Sequence, residues 1–309
     1  MEKRATREAL GEEILKLGTE HEDVFVVDCD VAKSCKTLEF AQKLPKQHLN
    51  VGISEQNAMG IAAGLAASGK VPFVVTYAIF GSMRACEQLR QEACYTKLNV
   101  KVLCSHGGLT PANDGASHQC IEDMGVLRTI PNMTVIMPAD YNSARKLIAK
   151  AYEYPGPVYL RFTRDAIPCI YEETEEFEIG KAKKLADGSD VTIFANGDTL
   201  SIAAEARKML EKEGISAGLY DVLTIKPIDK DAVGEAIEKS GKVFTVEDHN
   251  IYNGLGSAVC EIAAEAGKGK VVRIGVQDQF GESAPYEELL KKNGITAENI
   301  CKQAKKILE

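Results

Sequence analysis

Apolar positions along the chain follow two alternating rhythms. Short β-branched runs read as strands: VFVV (24–27), VPFVVTY (71–77), VKVLC (100–104), MTVIMP (133–138) and PVYLRF (157–162). Helical patterns lie between them. Residues 5–20 place Leu10, Ile14 and Leu17 on one face, residues 55–68 are rich in Ala and Met, and residues 141–153 bring together Ala144, Leu147, Ile148 and Ala151. A second alternating unit has strands VTIFA (191–195), SAGLYDV (216–222), KVFTVE (242–247) and KVVRIGV (270–276), with helices over about 199–213, 230–238, 254–266 and 296–308. Strands alternating with helices predict an α/β fold with mainly parallel sheets. The stretch 164–190 is mostly charged and weakly periodic, a linker with room for one short strand. The expected division is therefore a domain at 1–165, a linker at 166–185 and a second α/β domain at 186–309.

Composition narrows the class. Of the 309 residues, 37 are Lys or Arg and 45 are Asp or Glu, a formal charge of −8. Such a chain has no general attraction to nucleic acid or anionic membranes, so any phosphate must be held by a few placed groups. No run reaches the roughly 18 unbroken apolar residues of a membrane span. The first residues carry acids and no apolar core, so a secretory signal is not expected and the cytoplasm is. Nine cysteines, an odd number with no C-x-x-C pair, argue against a zinc site or disulfide framework. They read as small buried hydrophobes in a reducing compartment.

Candidate chemistry concentrates at strand ends, where open α/β sheets bind ligands. The stretch SHGGLTPANDGASHQ (105–119) follows a strand, is kept from being a helix by its Gly and Pro, and holds His106, Asp114 and His118. Glu55 opens the apolar helix behind Ser54, an expected N-cap, and that helix reads as buried on nearly every side. A carboxylate at such a mouth needs a polar partner. Tyr77 and Phe80 lie three apart at a strand end, where aromatics are either core or the walls of a flat heterocycle. Arg161 and Arg164, within or just past PVYLRF, are a phosphate grip or a surface ion pair, and Ser34 in DCDVAKSC could donate to an anion. The chain lacks the P-loop, the G-x-G-x-x-G fingerprint and the G-x-S-x-G elbow. NGDT (196–199) reads as a plain strand-to-helix turn.

At these residues the chain resembles the C-terminal half of a transketolase, in the split form where two chains share the work. GISEQNAMGIAAGLA is similar to the family's glutamate segment, and the His-x7-Asp-x3-His spacing of 106–118 matches its substrate loop. GVLRTIPNMTVIMPAD, GPVYLRFTR, TIKPID and EDHNIYNGLGSAVCE extend the likeness over nearly the whole chain. The glutamate segment is common to many thiamine diphosphate enzymes. The His-Asp-His loop narrows it to transketolases and deoxyxylulose-phosphate synthases. The resemblance implies a pyrimidine-binding domain followed by a transketolase C-terminal domain. It implies thiamine diphosphate, with Mg2+ held mainly by a separate diphosphate-domain chain in an α2β2 assembly, because no G-D-G…N motif is found here. It implies transfer of a two-carbon ketol unit from a ketose phosphate to an aldose phosphate. Glu55 would bond N1′ of the aminopyrimidine, with Tyr77 and Phe80 packing the ring. His106 and His118 would meet the donor's carbonyl and hydroxyls and Asp114 a hydroxyl, while Arg164, helped by Ser34, would grip the phosphate. The alternatives are the β subunit of a 2-oxo acid dehydrogenase and a non-catalytic subunit that keeps the fold.

Overall fold

The computed structural model describes residues 2–309. The first half carries β1 (Lys3–Arg4), β2 (Val24–Asp28), β3 (His48–Asn50), β4 (Val71–Tyr77), β5 (Lys101–Ser105), β6 (Thr134–Ile136), β7 (Val158–Arg161) and β8 (Ile167–Pro168). The second half carries β9 (Lys183–Ala186), β10 (Val191–Ala195), β11 (Ala217–Asp221), β12 (Thr224–Lys226), β13 (Lys242–Asn250) and β14 (Lys270–Val276). A seven-stranded sheet runs β12-β6-β7-β5-β4-β2-β3 and a five-stranded sheet runs β14-β13-β10-β11-β9. Every neighbour pair within them is parallel except β12 on β6 and β9 on β11. Central strands such as β5 and β10 are buried at every position, as the continuous apolar runs predict for a sheet covered on both faces.

Parallel pairing is what builds the site. Because β2, β4, β5 and β7 point the same way, their carboxyl ends at Asp28, Tyr77, Ser105 and Arg161 share one edge. The loops that leave this edge carry Ser34, Phe80, His106 and Arg164.

Two features depart from the sequence expectation, and a third lies where the sequence set none. The segment 166–185 is packed: it holds β8 and most of β9, and buries Tyr171 and Phe177 edge to face at 4.9 Å. Tyr171 Oη donates to buried Asp221 Oδ2 at 2.8 Å, which ties the segment to β11. Second, β12 belongs to the stretch after β11 yet pairs with β6, Thr224 opposite Ile136, and so covers that sheet's free edge. Third, the stretch after β4 coils into wide π-helical turns at Phe80–Arg84 and Leu89–Tyr95, a geometry that often marks functional sites. NGDT is the turn from β10 into helix Thr199–Lys212, as expected, and all nine cysteines are free. No helix among the described residues is long and apolar enough to cross a membrane.

Asp140 fastens the packed segment to the first sheet. Its Oδ1 caps helix Tyr141–Glu153 through Ser143 N at 2.8 Å, in a reciprocal box with the Ser143 hydroxyl. Its Oδ2 takes Ile170 N at 2.7 Å and Tyr171 N at 2.8 Å. Replacement with alanine removes a cap and strands two amide hydrogens, so Asp140→Ala should lower stability by about 2–4 kcal/mol in urea unfolding.

Candidate functional site

Glu55 is the first residue of helix Glu55–Ala67 and is only 2% exposed. Its Oε2 accepts from Arg84 Nη1 at 2.9 Å, and the Arg84 guanidinium lies over the Phe80 ring, 4.2 Å from the centroid. Ser54 holds the N-cap position but caps nothing: its hydroxyl donates to Val51 O at 2.8 Å. The helix is also less enclosed than its composition suggests. Ala58, Met59, Ala62 and Ala63 face inward, while Gln56, Asn57, Gly64 and Ala67 are exposed. Small residues permit close approach on that outer face, but none of the described residues supplies a neighbour at Gly64.

The aromatic pair and the two histidines form one wall. The Tyr77 and Phe80 rings are 6.1 Å apart. Tyr77 lies 4.1 Å from the His106 ring, and Phe80 meets His118 edge-on at 5.6 Å. Tyr77 Oη donates to Ser34 Oγ at 2.8 Å, which pins the loop after β2. Ser34 gives its own hydrogen to Val31 O at 3.0 Å, a local hydroxyl turn, so the expected donation to an anion has no free hydrogen here.

The loop after β5 is held in an uncommon shape. His106, Gly108, Ala112 and Gly115 have φ of 63°, 61°, 55° and 75°. Non-glycine residues visit this left-handed region rarely, and they do so mostly where surrounding contacts enforce it. Arg161 is the support beneath, with no side-chain exposure. A Cβ on Gly107 would lie 2.1 Å from Arg161 Nε, and one on Gly108 would lie 2.1 Å from Asp248 Oδ2. Arg161 Nη2 donates to Asp248 O at 2.7 Å and Cys120 O at 3.3 Å, while Asp248 Oδ2 takes Leu109 N at 2.9 Å. From the other side, Gln119 Nε2 donates to Glu282 O at 2.9 Å and Ser283 Oγ to Asn113 O at 2.5 Å. The second sheet's loops thus clasp the histidine loop of the first.

Asp114 and Arg164 come together as a half-exposed ion pair at 3.1 Å, and Arg164 Nη1 also donates to Pro111 O at 2.6 Å. Arg161, buried under the loop, is an anchor that a ligand cannot reach. Arg7 was not singled out in the sequence. Its Nη1 donates to Ser34 O at 3.0 Å, and no signal separates it there from its charged neighbours Arg4 and Glu8. Burial, then the charges of Arg7, Arg164 and His118, pull His106 down to about 3, so its ring is neutral near pH 7.

Comparison with known proteins agrees with this architecture. The model for the transketolase pyrimidine binding domain matches residues 2–169, and that for the transketolase C-terminal domain matches residues 180–300. A putative transketolase C-terminal section of Methanocaldococcus jannaschii is 45% identical over 304 residues, covering 97% of this chain and 95% of that protein. One of the subunits of the apulose-4-phosphate transketolase of Phocaeicola vulgatus is 39% identical over 301 residues, covering 97% and 96%. A solved split-gene transketolase, described as an inactive beta4 tetramer, superposes with a TM-score of 0.90 at 44% identity and 98% coverage of both chains. The chain belongs to the transketolase family. Within it, the match runs end to end with separate chains that correspond to the C-terminal section.

Two outcomes follow from this geometry. Gly108→Ala forces a Cβ into Asp248 at a left-handed φ, and should lower stability by about 2–4 kcal/mol on thermal or urea unfolding. For His106, the folded pKa lies below that of the unfolded chain. Between about 6.5 and 3 the unfolded chain takes up a proton that the folded one refuses, so stability falls as pH falls through this window. His106→Asn should flatten that acid decline in unfolding measured from pH 7 to pH 4.

Proposed function

We propose that this chain is the C-terminal subunit of a two-chain transketolase, which moves a two-carbon ketol unit between phosphorylated sugars with thiamine diphosphate. The reading is carried by the surroundings of Glu55. There, a planar, cationic, hydrogen-donating group from the protein itself, the Arg84 guanidinium, both bonds the buried carboxylate and stacks on Phe80. The cofactor's aminopyrimidine is also flat and presents donors, so the residues fit it once Arg84 swings aside. When bound, thiamine diphosphate supplies a nucleophilic carbon for a ketose carbonyl and an electron sink for the bond that breaks.

In this reading Glu55 would accept a hydrogen bond from N1′ and hold a proton there, while Tyr77 and Phe80 would wall the ring. His118 is half-buried, with Nδ1 3.0 Å from Ser117 Oγ, and would exchange a proton with a substrate hydroxyl. His106 would donate to a substrate oxygen. Asp114 would bond a sugar hydroxyl, and Arg164 with Arg7 would hold the phosphate through charge-assisted bonds. The pairs these residues now make are partly exposed and weak enough to exchange for a ligand.

Ile53, Met83 and Tyr95 are large, apolar and exposed on the segments around Glu55, and the small-residue face of its helix is open. These surfaces support a partner chain. In this reading that chain would bring the diphosphate domain and hold Mg2+, in an α2β2 enzyme of the cytoplasm. The split-gene relative described as an inactive beta4 tetramer supports the same dependence. The phosphorylated substrate in the name of the Phocaeicola vulgatus relative supports a sugar phosphate here.

Reconstitution tests the proposal. This chain alone should transfer nothing. With its diphosphate-domain partner, thiamine diphosphate and Mg2+, it should transfer ketol from xylulose 5-phosphate to ribose 5-phosphate. A pair that assembles yet transfers nothing refutes it. Glu55→Ala should leave the assembly intact and lower kcat by at least about 100-fold, the range for a lost proton-transfer group.

A further inference from the structure

Behind His106 stands a short line of hydroxyl and thiol. Ser105, the last residue of β5, is buried with Oγ 2.7 Å from His106 Nδ1. On its other side the same Oγ is 3.1 Å from Sγ of Cys35, a wholly buried residue in the loop after β2. A second acceptor near that sulfur is Thr76 O, at 3.8 Å. We infer that Ser105, backed by Cys35, is a positioning residue that locks His106 in the Nε2–H tautomer.

Hydrogen placement along this line decides the tautomer. Burial pushes the Cys35 thiol up to about 12, so it keeps its hydrogen at neutral pH. Ser34 Oγ, also near the sulfur, already accepts from Tyr77 Oη and donates to Val31 O, and of the remaining two acceptors Ser105 Oγ, at 3.1 Å, is closer than Thr76 O, at 3.8 Å. Once Ser105 accepts from the thiol, its own O–H points to His106 Nδ1. The separation of 2.7 Å matches hydroxyl donors, whereas imidazole N–H donors favour about 2.9–3.0 Å. The reverse order would give the hydroxyl hydrogen to sulfur, a weak acceptor, and leave the thiol with the distant carbonyl. A neutral imidazole carries one N–H, so with Nδ1 accepting, the hydrogen is on Nε2. Nε2 has no hydrogen-bond partner among the described residues, and the positive charges of Arg7 and Arg164 bear on this ring.

His106 is then a fixed donor for an anionic or carbonyl oxygen, not a base, and proton exchange falls to His118. This consequence rests on the transketolase reading; the tautomer itself does not.

The test uses the full chain with 15N-histidine, His106→Asn identifying the His106 signals. The wild type should show a pyridine-type Nδ1 and a pyrrole-type Nε2. Ser105→Ala should move hydrogen to Nδ1 in a large fraction of molecules, and Ser105→Thr, which keeps the hydroxyl, should restore the wild-type pattern. A pyrrole-type Nδ1 in the wild type, or an unchanged spectrum in Ser105→Ala, overturns the inference. In the reconstituted enzyme, Ser105→Ala should raise KM for the ketose phosphate about tenfold with kcat within about twofold, the scale of one misdirected hydrogen bond. Unchanged KM overturns the assignment of the Nε2–H to the ligand. If wild-type enzyme transfers nothing, the functional reading fails and the spectra still decide the tautomer.

Discussion

One buried guanidinium holds the two halves of this molecule in register. Arg161 ends β7 with no exposed side-chain surface, its Nε 3.4 Å from Asp123 Oδ2. Burial opposes its charge, yet Asp123, Asp248 and Asp198 together keep its pKa raised. Its bond to Asp248 O crosses from the first sheet to β13, and Asp248 returns the contact through Leu109 N. The histidine loop therefore lies on a charge that is paired with Asp123 in its own domain and hydrogen-bonded to the backbone of the other. Loss of one member of such a buried set leaves the rest uncompensated, typically worth about 3–5 kcal/mol. The glycines at 107 and 108 follow from it, because only a residue without Cβ lets the backbone lie this close to Arg161 and Asp248.

The same arrangement explains what could be read from sequence. The strands VPFVVTY and VTIFA coincide with β4 and β10 because a run buried on both faces is apolar almost throughout, while KVVRIGV, a half-buried edge strand with Lys270 and Arg273, coincides with β14 through its β-branched residues. Strand β12 escaped, since three residues, TIK, carry no period and their pairing with β6 is set by tertiary contact. The segment 166–185 read as a linker because its charges dominate, although Tyr171 and Phe177 carry the packing. In the site, a motif drew attention to Glu55, His106, Asp114 and His118, whose spacing is local. Ser105, Cys35 and Arg7 could not be found that way. Ser105 meets Cys35 from 70 residues away, and Arg7 meets Ser34 from 27. Their roles exist only once parallel strands bring four loops to one edge.

The histidine loop also shows how backbone strain and polarity support each other. Left-handed φ at His106 and Ala112 is unfavourable in isolation. It persists because Leu109 N, Asn113 O and Gln119 Nε2 are each bonded to the second half of the chain. The imidazole is thereby held in a dry, positively biased place, which keeps it neutral. A neutral ring in a fixed tautomer offers one donor in one direction, a property that a mobile surface histidine lacks.

On the proposed reading, the ion pairs in the site are substitutes for bonds to a ligand. A carboxylate as buried as Glu55 is costly without a partner, so an isolated chain must supply one, and Arg84 does. Yet the Arg84 side chain is 46% exposed, so solvent screens the pair and little is lost when it opens. Asp114 and Arg164 stand in the same relation, at 38% and 32% exposure. A ligand enclosed by a second chain would replace each half-wet pair with a drier, better-oriented bond, and electrostatic attraction strengthens as water leaves. On the proposed reading, the free energy released on closure would be greatest where the open chain is least well satisfied. Those places are the mouth of the Glu55 helix and the tip of the histidine loop, and assembly and ligand binding would then be thermodynamically coupled.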